Sequence, residues 1–185
     1  MGGDAAARYP GNNPMVVLRP TRKLLTILPV SKPAPLRSDT ALGDWYVNRL
    51  VVDRRPLLLL VSAASLLPML VPARDVGGLP SRLADLVEAR LRRCGIAPRT
   101  IELERRAMSP VAIGPTVDRS VLGIMVDFAK SIPFYLDPGQ WNDATLQVVE
   151  AKLAETPCYA GRSGAQTVFP DEKATALLRA KWEAH

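Results

Sequence analysis

Between Arg55 and Arg74 the chain runs for 18 residues, PLLLLVSAASLLPMLVPA, without a charge. So apolar a run has to leave water, and how it does so decides what the rest can fold into. As a helix it would extend roughly 27 Å, close to the thickness of a hydrocarbon core. Pro68 and Pro72 argue against that helix, because each removes a backbone donor, and Ser62-Ala-Ala-Ser65 interrupts the apolar surface. A buried strand from Leu57 to Val61, a turn and a short apolar segment satisfy the same residues without a membrane. Trp45 to Val52, rich in β-branched and aromatic residues, precedes this strand, with Asp53-Arg-Arg-Pro56 between them. That arrangement predicts an antiparallel hairpin.

The remaining elements follow from periodicity and punctuation. Residues 1–14 are small, polar and turn-rich and are expected to be a disordered leader. Met15 to Leu18 reads as a strand, after which Thr21 is expected to cap one or two helical turns burying Leu24, Leu25 and Leu28. Residues 29–40, with three prolines, form a loop. Ser81 is expected to cap a helix that Gly95 stops, and Pro98 to open a second helix through Met108, with Glu102 and Arg106 at i,i+4 spacing. Val111 to Ile113 returns as a strand. Asp118 caps a third helix burying Val121, Leu122, Met125, Phe128, Ala129 and Ile132, and Asp137-Pro-Gly139 ends that part of the chain. Asp143 to Glu155 and Asp171 to Ala184 read as two further helices. This order predicts an α+β fold with a small mixed or antiparallel sheet packed against several helices.

Charge divides the chain. Residues 15–136 hold 18 basic and 10 acidic side chains, and residues 137–185 hold 5 and 7, so a basic α+β domain is followed by a mildly acidic helical appendage. The net charge of +6 and a pI of about 9.7 favour anionic partners. Arginine outnumbers lysine 18 to 6, which suits bidentate phosphate or carboxylate contacts, although an arginine-biased genome would produce the same count. The single histidine is the terminal His185, so no Ser-His-Asp triad, Cys-His pair or HExxH helix exists. Cys94 and Cys158 cannot close a tetrahedral metal site, and neither a metal nor another cofactor is expected. Two unclustered thiols, no signal peptide and no myristoylation pattern (Ala6 replaces the required Ser or Thr) lead to the expectation of a cytoplasmic protein off the membrane.

Three blocks, Arg19-Pro-Thr-Arg-Lys-Leu24, Leu42-Gly-Asp-Trp-Tyr-Val-Asn48 and Asp118-Arg-Ser-Val-Leu-Gly-Ile-Met125, resemble in order and spacing a bacterial family, the domain-of-unknown-function 6933 family. The resemblance covers about residues 15–136. The second hairpin strand is more leucine-rich than the family's pattern. The resemblance implies a compact α+β domain and no activity.

The same blocks hold the candidate binding residues: Lys23, Asp44, Trp45, Tyr46, Asn48, Asp118, Arg119 and Ser120. Asp118-Arg119-Ser120 opens a helix, where free N–H groups favour an anion. Arg119 opposes the helix dipole there, which a bound anion or a buried acid such as Asp44 would explain; alternatively Asp118 is a simple cap and Arg119 is solvated. Gly123 inside that helix suggests close packing on the sheet. Trp45 and Tyr46 point to opposite faces, so one is core and the other can stack a base beside Asn48, Arg49 and Lys23. Three readings stand: a non-enzymatic binding or regulatory protein with a nucleic acid or nucleotide partner, a histidine-free enzyme using Asp44 or Asp118 as base on a phosphorylated or carboxylated substrate, and a protein-interaction module acting through residues 137–185.

Overall fold

Val16–Pro20 (β1), Trp45–Val52 (β2), Arg55–Ser62 (β3), Pro68–Pro72 (β4) and Val111–Ile113 (β5) join in one mixed sheet of order β4-β3-β2-β1-β5. The computed structural model describes residues 15–33, 37–160 and 166–183; the leader expected at 1–14 lies outside them. β1 runs parallel to both neighbours, β2 and β5, while β2, β3 and β4 form an antiparallel meander. The fold is α+β.

Helices cover both faces of the sheet. Leu79–Arg93 (α1), Pro98–Ala107 (α2) and Pro170–Trp182 (α5) meet one face, where Val16, Leu18, Trp45, Val47, Leu58 and Leu60 point. Arg119–Ser131 (α3) and Asp143–Ala154 (α4) meet the other, over Tyr46, Leu57, Leu59, Val61 and Leu70. This explains the uncharged run: Leu57 through Val61 are fully buried on alternate faces, so the strand has no polar side to show. Each such side chain stabilises the fold by roughly 1.5–3 kcal/mol relative to exposure. α4 and α5, from the acidic part of the chain, supply Leu146, Val149 and Leu153 to one core and Ala174 and Leu178 to the other. Among the described residues no helix is long and apolar enough to cross a membrane.

The two prolines that argue against a helix find their place in β4, an edge strand. Leu70 turns its N–H outward to the buried Glu150 carboxylate at 2.8 Å, so by alternation Pro68 and Pro72 occupy the neighbouring outward positions and have no N–H to leave unpaired. The outward carbonyls of Pro68 and Pro72 accept from Arg90 Nε at 3.1 Å and from the Arg74 main chain at 2.9 Å. At the opposite edge, Ser31 accepts the Ile113 N–H at its hydroxyl (2.8 Å) and donates its own N–H to the Ile113 carbonyl (2.9 Å).

Several local expectations need correction. The hairpin turn is two residues, Asp53 and Arg54, both at positive φ as a tight turn matching strand twist requires. Thr21 does not cap: its hydroxyl goes to Asn48, and the turn that follows, Arg22–Leu24, is a single 3-10 turn burying Leu24, with Leu28 buried just beyond it. α1 begins two residues before Ser81, with Asp75 accepting the Gly78 N–H. A small antiparallel pair, Cys158–Ala160 (β6) and Gln166–Val168 (β7), was not anticipated. Cys94 and Cys158 are free thiols; Cys158 lies in the core under α3 and α4, and Cys94 at the end of α1 packs against the other core.

Candidate functional site

Arg19 is level with Tyr46 across the parallel β1–β2 pair, and both side chains lie on the α3 face. Just beyond β1, Thr21 donates its hydroxyl to Asn48 Oδ1 at 2.9 Å, and its N–H to the Val47 carbonyl at 2.9 Å. Just before β2, Asp44 pairs with the Arg19 Nε and accepts from both the N–H and the hydroxyl of Ser38, at 2.8 and 2.7 Å. Arg19 also donates to the Pro115 carbonyl at 2.7 Å. The Tyr46 hydroxyl accepts the main-chain N–H of Asp118 at 2.9 Å and of Val117 at 3.3 Å. Thus the chain leaving β5 crosses above β1 and β2, held by Arg19 and Tyr46, before it becomes α3. The three sequence blocks meet at this crossing.

The crossing changes the reading of several candidates. Trp45 and Tyr46 do point to opposite faces, but both are buried, at 0% and 1% exposure, because helices cover both sides of the sheet. Neither can stack a base. The acid Asp44 does have a buried basic partner, but it is Arg19, a residue absent from the candidate set, and not Arg119. Its signal was present in the sequence as one arginine inside the apolar strand run Val16-Val-Leu-Arg-Pro20. Ser38 was missed as well, since nothing local in a proline-rich loop marks it.

Asp118 is the N-cap of α3. Its carboxylate accepts the Ser120 N–H at 2.8 Å and the Ser120 hydroxyl at 2.6 Å, and the hydroxyl bond above all holds its pKa below the usual carboxylate value. Arg119 and Lys23 are exposed, and among the described residues neither makes a hydrogen bond or ion pair. Asn48 is half-buried, and among the described residues its carboxamide NH2 has no hydrogen-bond partner. Gly123 faces outward: a Cβ built there meets nothing within 4 Å, so close packing on the sheet is not its reason.

What remains available is a set of donors: the Asn48 amide, the Lys23 ammonium and the Arg119 guanidinium. The carboxylates, by contrast, are occupied. Donors of this kind are the groups that charge-assisted hydrogen bonds to an anion require. Among the described residues no three His, Cys, Asp or Glu side chains gather as metal ligands.

Buried charges elsewhere serve architecture. Glu104 on α2 is 1% exposed and accepts from Ala41 N, Leu42 N and Trp182 Nε1 at 2.7–3.0 Å, fixing the loop before β2. Glu150 on α4 takes Arg93 at 2.7 Å in addition to the Leu70 N–H.

No curated protein and no solved structure matches this chain. One family model does, over residues 17–173, and it therefore takes in α4 and the start of α5 as well as the three blocks. The chain belongs to the family described as Domain of unknown function (DUF6933).

Proposed function

We propose that this chain is a non-enzymatic binding or regulatory protein that holds an anionic partner, a nucleic acid or a nucleotide, where β1 ends and α3 begins. The observation that carries this reading is how charge is neutralised. On α1, α2 and α5 the basic residues Arg92, Arg93, Arg105, Arg106 and Lys181 each sit within 2.9 Å of a carboxylate. Arg22 and Lys23 after β1, and Arg119 at the start of α3, have no acidic partner among the described residues. Cations without a carboxylate also stand elsewhere, Arg82, Arg99, Lys130 and Lys173 among them, but Arg22, Lys23 and Arg119 belong to the segments that meet at the crossing, next to the positive end of the α3 dipole.

Two further observations support the reading. Gly123 leaves the outward face of α3 without a side chain one turn beyond Arg119, which permits close approach by a ligand backbone. Both proposed bases are unsuited to enzyme chemistry, Asp44 through its partners Arg19 and Ser38 and Asp118 through its lowered pKa. A protein partner acting through residues 137–185 gains less support, since the large apolar side chains exposed there among the described residues, Val148, Tyr159 and Phe169, sit on three separate elements.

The test is binding of a fluorescent single-stranded oligonucleotide and of a labelled nucleoside triphosphate at low salt. Arg119→Ala and Lys23→Ala are expected to weaken binding of one of them at least tenfold, with affinity in the parent falling as salt is added. Stability should change by less than about 0.5 kcal/mol in either variant. Absence of binding to both probes, or binding indifferent to both substitutions, refutes the reading.

A further inference from the structure

Away from the crossing, a cleft of about 310 Å³ opens where β3 begins, β4 ends and α4 starts. Its walls combine Pro56, Pro72 and the Trp141 indole with two guanidinium groups, Arg55 and Arg74. Arg55 is fixed: its Nη1 donates to the Trp141 carbonyl at 2.9 Å, and its guanidinium lies 4.8 Å from the centre of the Trp141 ring. Among the described residues no carboxylate lies within ion-pair distance of it. Arg74 has no side-chain hydrogen bond or ion pair among the described residues. Trp141 itself is 6% exposed, and its indole N–H is buried without an acceptor.

We propose that this cleft binds a small carboxylate carrying a flat apolar body, of the benzoate type. The arginine fork matches a carboxylate bidentately, and Arg55 is already ordered, so little rotamer freedom is lost on binding. The prolines and the indole supply the apolar walls for the body, and the volume is at the lower end of small-molecule sites. Asp143, the one acid in the lining, is the first residue of α4, where the helix dipole stabilises it; the ligand carboxylate occupies the arginine side. This inference does not rest on the anion surface at α3.

The experiment follows the three indole N–H cross-peaks of the ¹⁵N-labelled full chain by NMR, with Trp141 assigned by triple resonance, during titration with benzoate. Acetate provides the charge without the body, and benzyl alcohol the body without the charge. The expected result is a saturable shift of the Trp141 peak with benzoate, binding at least tenfold weaker for acetate and benzyl alcohol, and at least tenfold weaker for benzoate in Arg74→Ala. Arg74 is exposed, so this variant folds; Arg55→Lys, which keeps charge and loses the fork, should weaken benzoate similarly. Arg119→Ala should leave benzoate affinity unchanged, which separates this site from the α3 surface. No saturable shift, equal affinity for benzyl alcohol, or indifference to Arg74→Ala overturns the proposal.

Discussion

The Tyr46 hydroxyl lies 2.9 Å from the main-chain nitrogen of Asp118, 72 residues later in the chain, and accepts its N–H. One phenol thereby ties the strand that starts the hairpin to the helix that covers it. Tyr46→Phe keeps the ring and leaves the N–H groups of Val117 and Asp118 without that acceptor, at a cost of about 1–3 kcal/mol. Amide exchange at these two positions should accelerate; unchanged exchange would show that the phenol does not hold the crossing.

Asp44→Ala should be the most damaging single change at the crossing. It leaves Arg19, 2% exposed, without its carboxylate, and removal of one partner from a buried pair costs about 3–5 kcal/mol. Urea unfolding measures it, and a loss below 1 kcal/mol would mean that Arg19 is adequately held by its other contacts, the Pro115 carbonyl among them.

Asp118 makes part of the stability depend on acid. Its folded pKa is lowered from 3.8, so the folded state favours the carboxylate. The resulting stabilisation is complete above the unfolded value and is lost as pH falls through the lower folded one. Asp118→Asn still caps the helix but cannot titrate. The gap in urea midpoint between parent and variant should therefore narrow between pH 5 and pH 2, and a constant gap contradicts the assignment.

Gly123→Ala should raise stability by about 1 kcal/mol, because the site is helical, exposed and empty around the added methyl. Thermal unfolding decides it. A destabilised variant would mean that the outward face of α3 is not open.

Burial pushes the Cys158 thiol up to about 11 and the Cys94 thiol up as well. At pH 8 both should alkylate slowly in the native protein, with half-buried Cys94 ahead of buried Cys158. Mass spectrometry of a timed iodoacetamide reaction gives the order, and faster labelling at Cys158 would contradict it.

Most elements were readable from local chemistry. Prolines and glycines bounded α1, α2 and α4, and the uncharged run had only one good soluble solution, β3 and β4. What the sequence hid was pairing at a distance. β1 runs parallel to two strands, and neither strand's side chains nor the loop at 21–44 announce that register. The candidate site was partly visible for the same reason. Asp44, Tyr46 and Asp118 were singled out as polar residues in suspicious places, and they do converge. Whether Tyr46 faced solvent depended on a helix seventy residues away, and the partner of Asp44 on a strand 25 residues before it. Arg119 and Arg19 are alike on paper; only the crossing chain makes one a buried tie and leaves the other free.

The closed margins of the sheet restrict how this protein meets others. At β4 two prolines offer no donor, and the donor between them is already taken by Glu150; at β5 Ser31 occupies the last rung. A foreign strand therefore finds no free main-chain donor along the proline-flanked stretch of β4. Loosening α4, and with it the Glu150 carboxylate, would free only the Leu70 N–H, a single donor between two prolines, so β4 stays a poor template for strand addition even then.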